Sequence, residues 1–108
     1  MMKDVLLRVY NSIHDIIGEP LREVILFGSY ARGDYDTESD IDIAVIIDLD
    51  RETLKKYQSN LIHMASEYSL NEDVLLSICC IPQKEFEEYR EALPFYRNIY
   101  SEGVRLSA

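Results

Sequence analysis

The segment Ile41-Asp42-Ile43-Ala44-Val45-Ile46-Ile47 is a nearly continuous apolar run, entered through the aspartates at 40 and 42. A β-branched run of this length reads as a strand covered on both faces. Such a strand demands a sheet with helices packed against it, and the remaining residues have to supply both.

The remaining segments are arranged to do so. From Met2 to Ile17, the residues Val5, Leu6, Val9, Ile13, Ile16 and Ile17 recur at helical spacing, and Gly18-Glu19-Pro20 stops the helix. Glu23 to Phe27 is a short strand that runs into a turn at Gly28-Ser29. Ser29 is the expected N-cap of one helical turn through Tyr30, Ala31 and Arg32. Gly33 to Ser39 reads as a polar loop whose acids Asp34, Asp36 and Glu38 face water. Asp48-Leu49-Asp50 ends the central strand and can cap a helix carrying Leu54, Tyr57, Leu61, Ile62, Ala65 and Tyr68. A third apolar strand is predicted from Asp73 to Ile81, closed by Pro82. An acidic helix follows over Gln83 to Tyr89, and Pro94 starts a last helix that Gly103 stops. The aromatics of these last helices, Phe86, Tyr89, Phe95, Tyr96 and Tyr100, are expected mainly to cover the sheet. The order α-β-α-β-α-β-α-α predicts an α+β domain over residues 1–108, with helices packed on a sheet of three or more strands.

Charge narrows the function. At a net charge of −9, the chain lacks the basic surface that stable nucleic-acid binding requires. The acidity suits a metal ion or a basic protein partner. No apolar run approaches the ~20 residues of a membrane span, and the start of the chain lacks a signal peptide's apolar core, so the expected location is the cytoplasm. Cys79 and Cys80 are adjacent and point to opposite faces of a strand, which disfavours a disulfide between them. With His14 and His63 far away in sequence, they read as small hydrophobes rather than zinc ligands.

The chemistry concentrates in Gly28-Ser29-Tyr30-Ala31-Arg32-Gly33 and Ser39-Asp40-Ile41-Asp42. Gly28 removes a Cβ, Ser29 offers a hydroxyl, and amides at a helix start can donate to phosphate oxygens. Arg32, one turn on, adds a forked donor. Asp40 and Asp42 project to the same side of a strand, roughly 7 Å apart along it. Two such carboxylates repel unless a cation neutralises them, and hard oxygen ligands favour Mg²⁺. A third acid would complete a two-metal site; Asp73 is the first choice and Glu72 the competitor, because a one-residue register change swaps their faces.

These motifs resemble the nucleotidyltransferase superfamily of DNA polymerase beta and kanamycin nucleotidyltransferase. The small size and the ending Pro94-Phe95-Tyr96-Arg97-Asn98-Ile99-Tyr100-Ser101-Glu102-Gly103-Val104 are similar to the minimal nucleotidyltransferases (MNT), the antitoxin half of HEPN–MNT toxin–antitoxin pairs. The resemblance implies a polymerase-beta-like nucleotidyltransferase core with a small mixed sheet, in which Gly28, Ser29 and Arg32 bind ATP phosphates. It also implies that Asp40, Asp42 and Asp73 hold two Mg²⁺ ions, and that AMP passes to a tyrosine of a HEPN ribonuclease toxin. Two other readings are a non-catalytic antitoxin that acts by binding and a transferase for a small molecule. The chain is compatible with assembly into a homo-oligomer or a hetero-oligomer.

Overall fold

A computed structural model describes residues 2–36 and 38–107. Thr37, inside the expected polar loop, lies outside the described residues, as do both terminal residues. Helix α1 (Met2–Ile17) leads into β1 (Leu21–Phe27), a single turn α2 (Ser29–Arg32) and β2 (Ile41–Ile47). The long helix α3 (Arg51–Glu72) connects β2 to β3 (Leu76–Pro82), and α4 (Gln83–Tyr89), α5 (Pro94–Glu102) and β4 (Val104–Leu106) complete the chain. The sheet has four strands in the order β3-β2-β1-β4. β1 pairs antiparallel with β2 and with β4, while β2 and β3 run parallel. A parallel pair needs a crossover, and α3 is that crossover.

Strand alternation divides the core. Ile41, Ile43, Val45 and Ile47 of β2 point to one face, where they pack with Val9, Ile13 and Ile17 of α1 and Leu54, Leu61 and Met64 of α3. Ala44 and Ile46 point to the other, against Ile81, Phe86 of α4 and Ile99 of α5. β2 is therefore buried on both sides, as its apolar run requires. Cys80 packs on the first face and Cys79 on the second, both as free thiols, and burial raises the pKa of each, to about 11 for Cys80.

The expected elements appear with three differences. Gly28, rather than Ser29, is the N-cap of α2, and no side chain among the described residues caps that turn. The physical reason lies in Gly28 itself, whose φ of 77° and ψ of −155° suit glycine and almost nothing else. The chain turns there, so Ser29 is already helical. Second, α3 continues past Tyr68 to Glu72, and Asp73 is its C-cap in the left-handed region (φ 54°) rather than the opening of β3. Third, β4 follows Gly103. That glycine does stop α5, its amide bonding the Ile99 carbonyl at 3.0 Å, and a Cβ there would also overlap Ile25. No helix among the described residues is long and apolar enough to cross a membrane.

Candidate nucleotide and metal site

The turn after β1 and the start of β2 lie at the same end of the sheet, because the antiparallel register sets Phe27 opposite Asp42. Gly28 is thereby laid directly against the Asp42 carboxylate, and a Cβ on Gly28 would overlap Asp42 Oδ2. Glycine is thus required at position 28 twice, by its backbone angles and by this close approach. The amides of Ala31 and Arg32 both bond the Gly28 carbonyl, each at 3.1 Å. The amides at the start of such a turn have no intrahelical acceptor and are donors for an anion.

Asp40 and Asp42 project from the face of β2 that carries Ala44 and Ile46, opposite to Ile41 and Ile43. Asp42 is half-buried, and its pKa is raised, first by burial and then by the charge of Asp40, with Arg32 acting in the opposite sense. Among the described residues, neither aspartate side chain has a hydrogen-bond or ion-pair partner. Among the described residues, only the charge of Arg32 offsets this pair, and no hydrogen bond does. A hard divalent cation fits the donor set and would relieve the repulsion.

Arg32 stands at the edge of the site. It donates to Asp34 Oδ2 at 3.2 Å, lies 3.7 Å from Glu102 of α5, and has its pKa raised chiefly by the Asp34 hydrogen bond. The acidic loop is less passive than expected. The amides of Gly33 and Asp34 both bond the Ser29 carbonyl, Asp36 Oδ1 accepts from the Glu38 amide, and Tyr35 stacks on Tyr30 with ring centres 4.2 Å apart.

The structure brings Gly28, Ser29, Arg32, Asp40 and Asp42 together, but not Asp73. As the C-cap of α3, Asp73 borders a cleft with Tyr30, Ser39 and Ile41, on the Ile41 side of β2 and away from the aspartate pair. The competitor Glu72 is engaged in an ion pair with Arg8 of α1. Accordingly, no group of three or more His, Cys, Asp or Glu side chains that could hold a metal occurs among the described residues. In the parallel register, the residue beside Asp42 on β3 is Ser77. Sequence reading passed over Ser77 because the length of α3 decides the register, and helix ends are weakly marked in sequence.

The Nucleotidyltransferase domain family matches residues 11–106, nearly the whole chain, and the protein belongs to that family. A relative from Methanocaldococcus jannaschii, named as a protein adenylyltransferase (MJ0141), is 49% identical over 67 residues. That match spans 62% of this chain and 66% of the relative, just under two thirds of its length. Two solved structures share the fold. One is a toxin–antitoxin with AMP-PNP, with 21% identity, a TM-score of 0.60 and coverage of 100% of this chain and 74% of the other. The second is the MNT antitoxin of Shewanella oneidensis in complex with a tri-AMPylated HEPN toxin, with 21% identity, a TM-score of 0.55 and coverage of 99% and 73%.

Proposed function

We propose that this protein transfers AMP from ATP to a tyrosine of a HEPN-type toxin partner in the cytoplasm, with Mg²⁺ held by Asp40 and Asp42. The observation that carries the reading is the unpartnered carboxylate pair pressed against the Gly28 turn. No fold requirement explains it, since the pair weakens the metal-free protein. The name of the M. jannaschii relative and the AMPylated toxin bound by the MNT antitoxin support both the reaction and the class of acceptor. AMP-PNP in the other toxin–antitoxin structure supports ATP as the donor.

In this reading, the amides of Ser29 and Tyr30, the Ser29 hydroxyl and Arg32 hold the β- and γ-phosphates. Gly28 lets the triphosphate come close to the aspartates. The acceptor hydroxyl releases its proton to water as its oxygen bonds to the α-phosphorus. The bond from that phosphorus to the α–β bridging oxygen breaks, and pyrophosphate leaves with the bridging oxygen and its negative charge. Bound Mg²⁺ would stabilise charge on the phosphate oxygens and the leaving group. Asp40 and Asp42 would act on the α-phosphate through the cation they hold, and the Arg32 guanidinium, steered by Asp34 and Glu102, balances charge at the far end. This acidic chain complements a basic partner, which speeds encounter.

The test is intact-mass analysis of the product of the neighbouring reading frame after incubation with this protein, Mg²⁺ and ATP. An added AMP that maps to a tyrosine is expected, and it should vanish with Asp40→Ala or Asp42→Ala. Full neutralisation of the toxin by the double variant, with no adduct, would replace this reading with inhibition by binding alone.

A further inference from the structure

Asp42 has a short list of neighbours on the face from which it projects. Phe27 of β1 lies on one flank and Ser77 of β3 on the other. Along β2, alternation places Asp40 and Ala44 on that face. Along β3, it places Leu75 and Cys79 on either side of Ser77. β3 is the edge of the sheet, so no strand among the described residues lies beyond Ser77. Of these positions, only 40 and 42 carry a carboxylate.

The two flanks of Asp42 differ in kind. The Phe27 flank leads to the Gly28 turn and is walled by Phe95, which meets Phe27 edge-on at 5.7 Å. On the other flank Ser77 is an exposed hydroxyl between the exposed Leu75 and the half-buried Cys79. Phosphates held at Gly28-Ser29 occupy the first flank, so an attacking hydroxyl approaches along the second. Adjacent strands are about 4.8 Å apart, which puts the Ser77 side chain within reach of anything bound there. A hydroxyl carries no charge, whereas a hard dication binds best to anionic oxygen.

We infer that Ser77 fills the acceptor side of the carboxylate pair, and that this chain, with its nucleotide, holds one divalent cation rather than two. The inference rests on the reading of Asp40 and Asp42 as ligands of the nucleotide's cation. That cation draws on both aspartates and on phosphate oxygens. A second cation beside Ser77 would find only a neutral hydroxyl and carboxylates already engaged, so any further anionic ligand arrives with the acceptor. Ser77 is then a positioning residue for the incoming hydroxyl.

The probe is Mn²⁺, counted by electron paramagnetic resonance on the full chain with an ATP analogue that carries a methylene bridge between the α- and β-phosphorus. The wild type and Ser77→Asn should hold a single Mn²⁺ per bound nucleotide, and Ser77→Asp should double that number. Two ions in the wild type, or no gain in a Ser77→Asp protein whose circular dichroism is unchanged, would overturn the inference. Should Ser77→Asp fail to fold, the wild-type count still decides. A wild type that binds neither the analogue nor Mn²⁺ would instead overturn the nucleotide reading on which the inference stands.

Discussion

Two Asp-x-Asp pairs bracket β2, with the same spacing and opposite roles. Behind the strand, Asp48 accepts from Arg22 at 3.1 Å, and Asp50 caps α3 by accepting from the Thr53 amide at 2.7 Å. Asp50 has its pKa lowered, chiefly by hydrogen bonding to Thr53. At the start of the strand, Asp40 and Asp42 have no such partners among the described residues, and Asp42 has its pKa raised by burial and by Asp40. One pair closes the structure, and the other is the one proposed above to take a ligand. Spacing is equal in both; what separates them is whether the fold supplies cations and amide donors.

That contrast can be broken by exchanging charge for amide at each end. The largest effect is expected from Asp42→Asn and Asp40→Asn. Each should cut AMP transfer by more than the roughly 100-fold that loss of an outer supporting residue costs a metal site. The same assay on Asp48→Asn and Asp50→Asn should stay near the wild-type rate. Equal losses at both ends would erase the distinction.

Gly28→Ala comes next, because it forces a Cβ onto the Asp42 carboxylate and a left-handed backbone onto alanine. A stability loss of about 1–3 kcal/mol is expected from the backbone alone, together with weakened nucleotide binding. Chemical denaturation and calorimetric titration with ATP check the two parts separately.

Stability should move in opposite directions at the two ends in metal-free protein at neutral pH. Asp42 has a raised folded pKa, so its ionisation costs the fold nothing in strong acid. The cost grows as pH climbs from the unfolded to the folded pKa, and it is constant above. Asp42→Asn should therefore melt above the wild type at neutral pH. Asp50 has a lowered folded pKa, so its stabilisation is complete above the unfolded value and fades as pH falls through the folded one. Asp50→Asn should melt below the wild type at neutral pH. Both differences should shrink toward zero in melts taken well below the ordinary aspartate range, and a shared sign at neutral pH would contradict the contrast. The smallest change is expected for Asp48→Asn, whose exposed pair with Arg22 is worth roughly 0.2–1 kcal/mol.

Most of the architecture was legible from periodicity and punctuation. Gly18-Glu19-Pro20, Pro94 and Gly103 mark real boundaries, and the double burial of β2 follows from its apolar run. β4 escaped because three residues centred on Arg105 have too little pattern to stand out; Arg105 donates to Glu23 at 2.7 Å on the sheet's other edge. Asp73 looked like a strand opener because it precedes Val74-Leu75. The stretch Ser69-Leu70-Asn71-Glu72 nonetheless stays helical, and Asp is one of the few residues that tolerate the left-handed cap that ends it. Within the site, the five residues that cluster were visible as motifs. Ser77, the neighbour of Asp42 on the other flank, was not, since only strand register identifies it.

The central claim is that the unpartnered pair serves transfer of the α-phosphorus. It is tested most directly by incubating this protein and its partner with ATP labelled at either the α- or the γ-phosphorus. The account expects covalent label on the partner from α-labelled ATP alone, lost with Asp42→Asn and with chelation of Mg²⁺. Label arriving from the γ-position, or α-label that persists with Asp42→Asn, would contradict it.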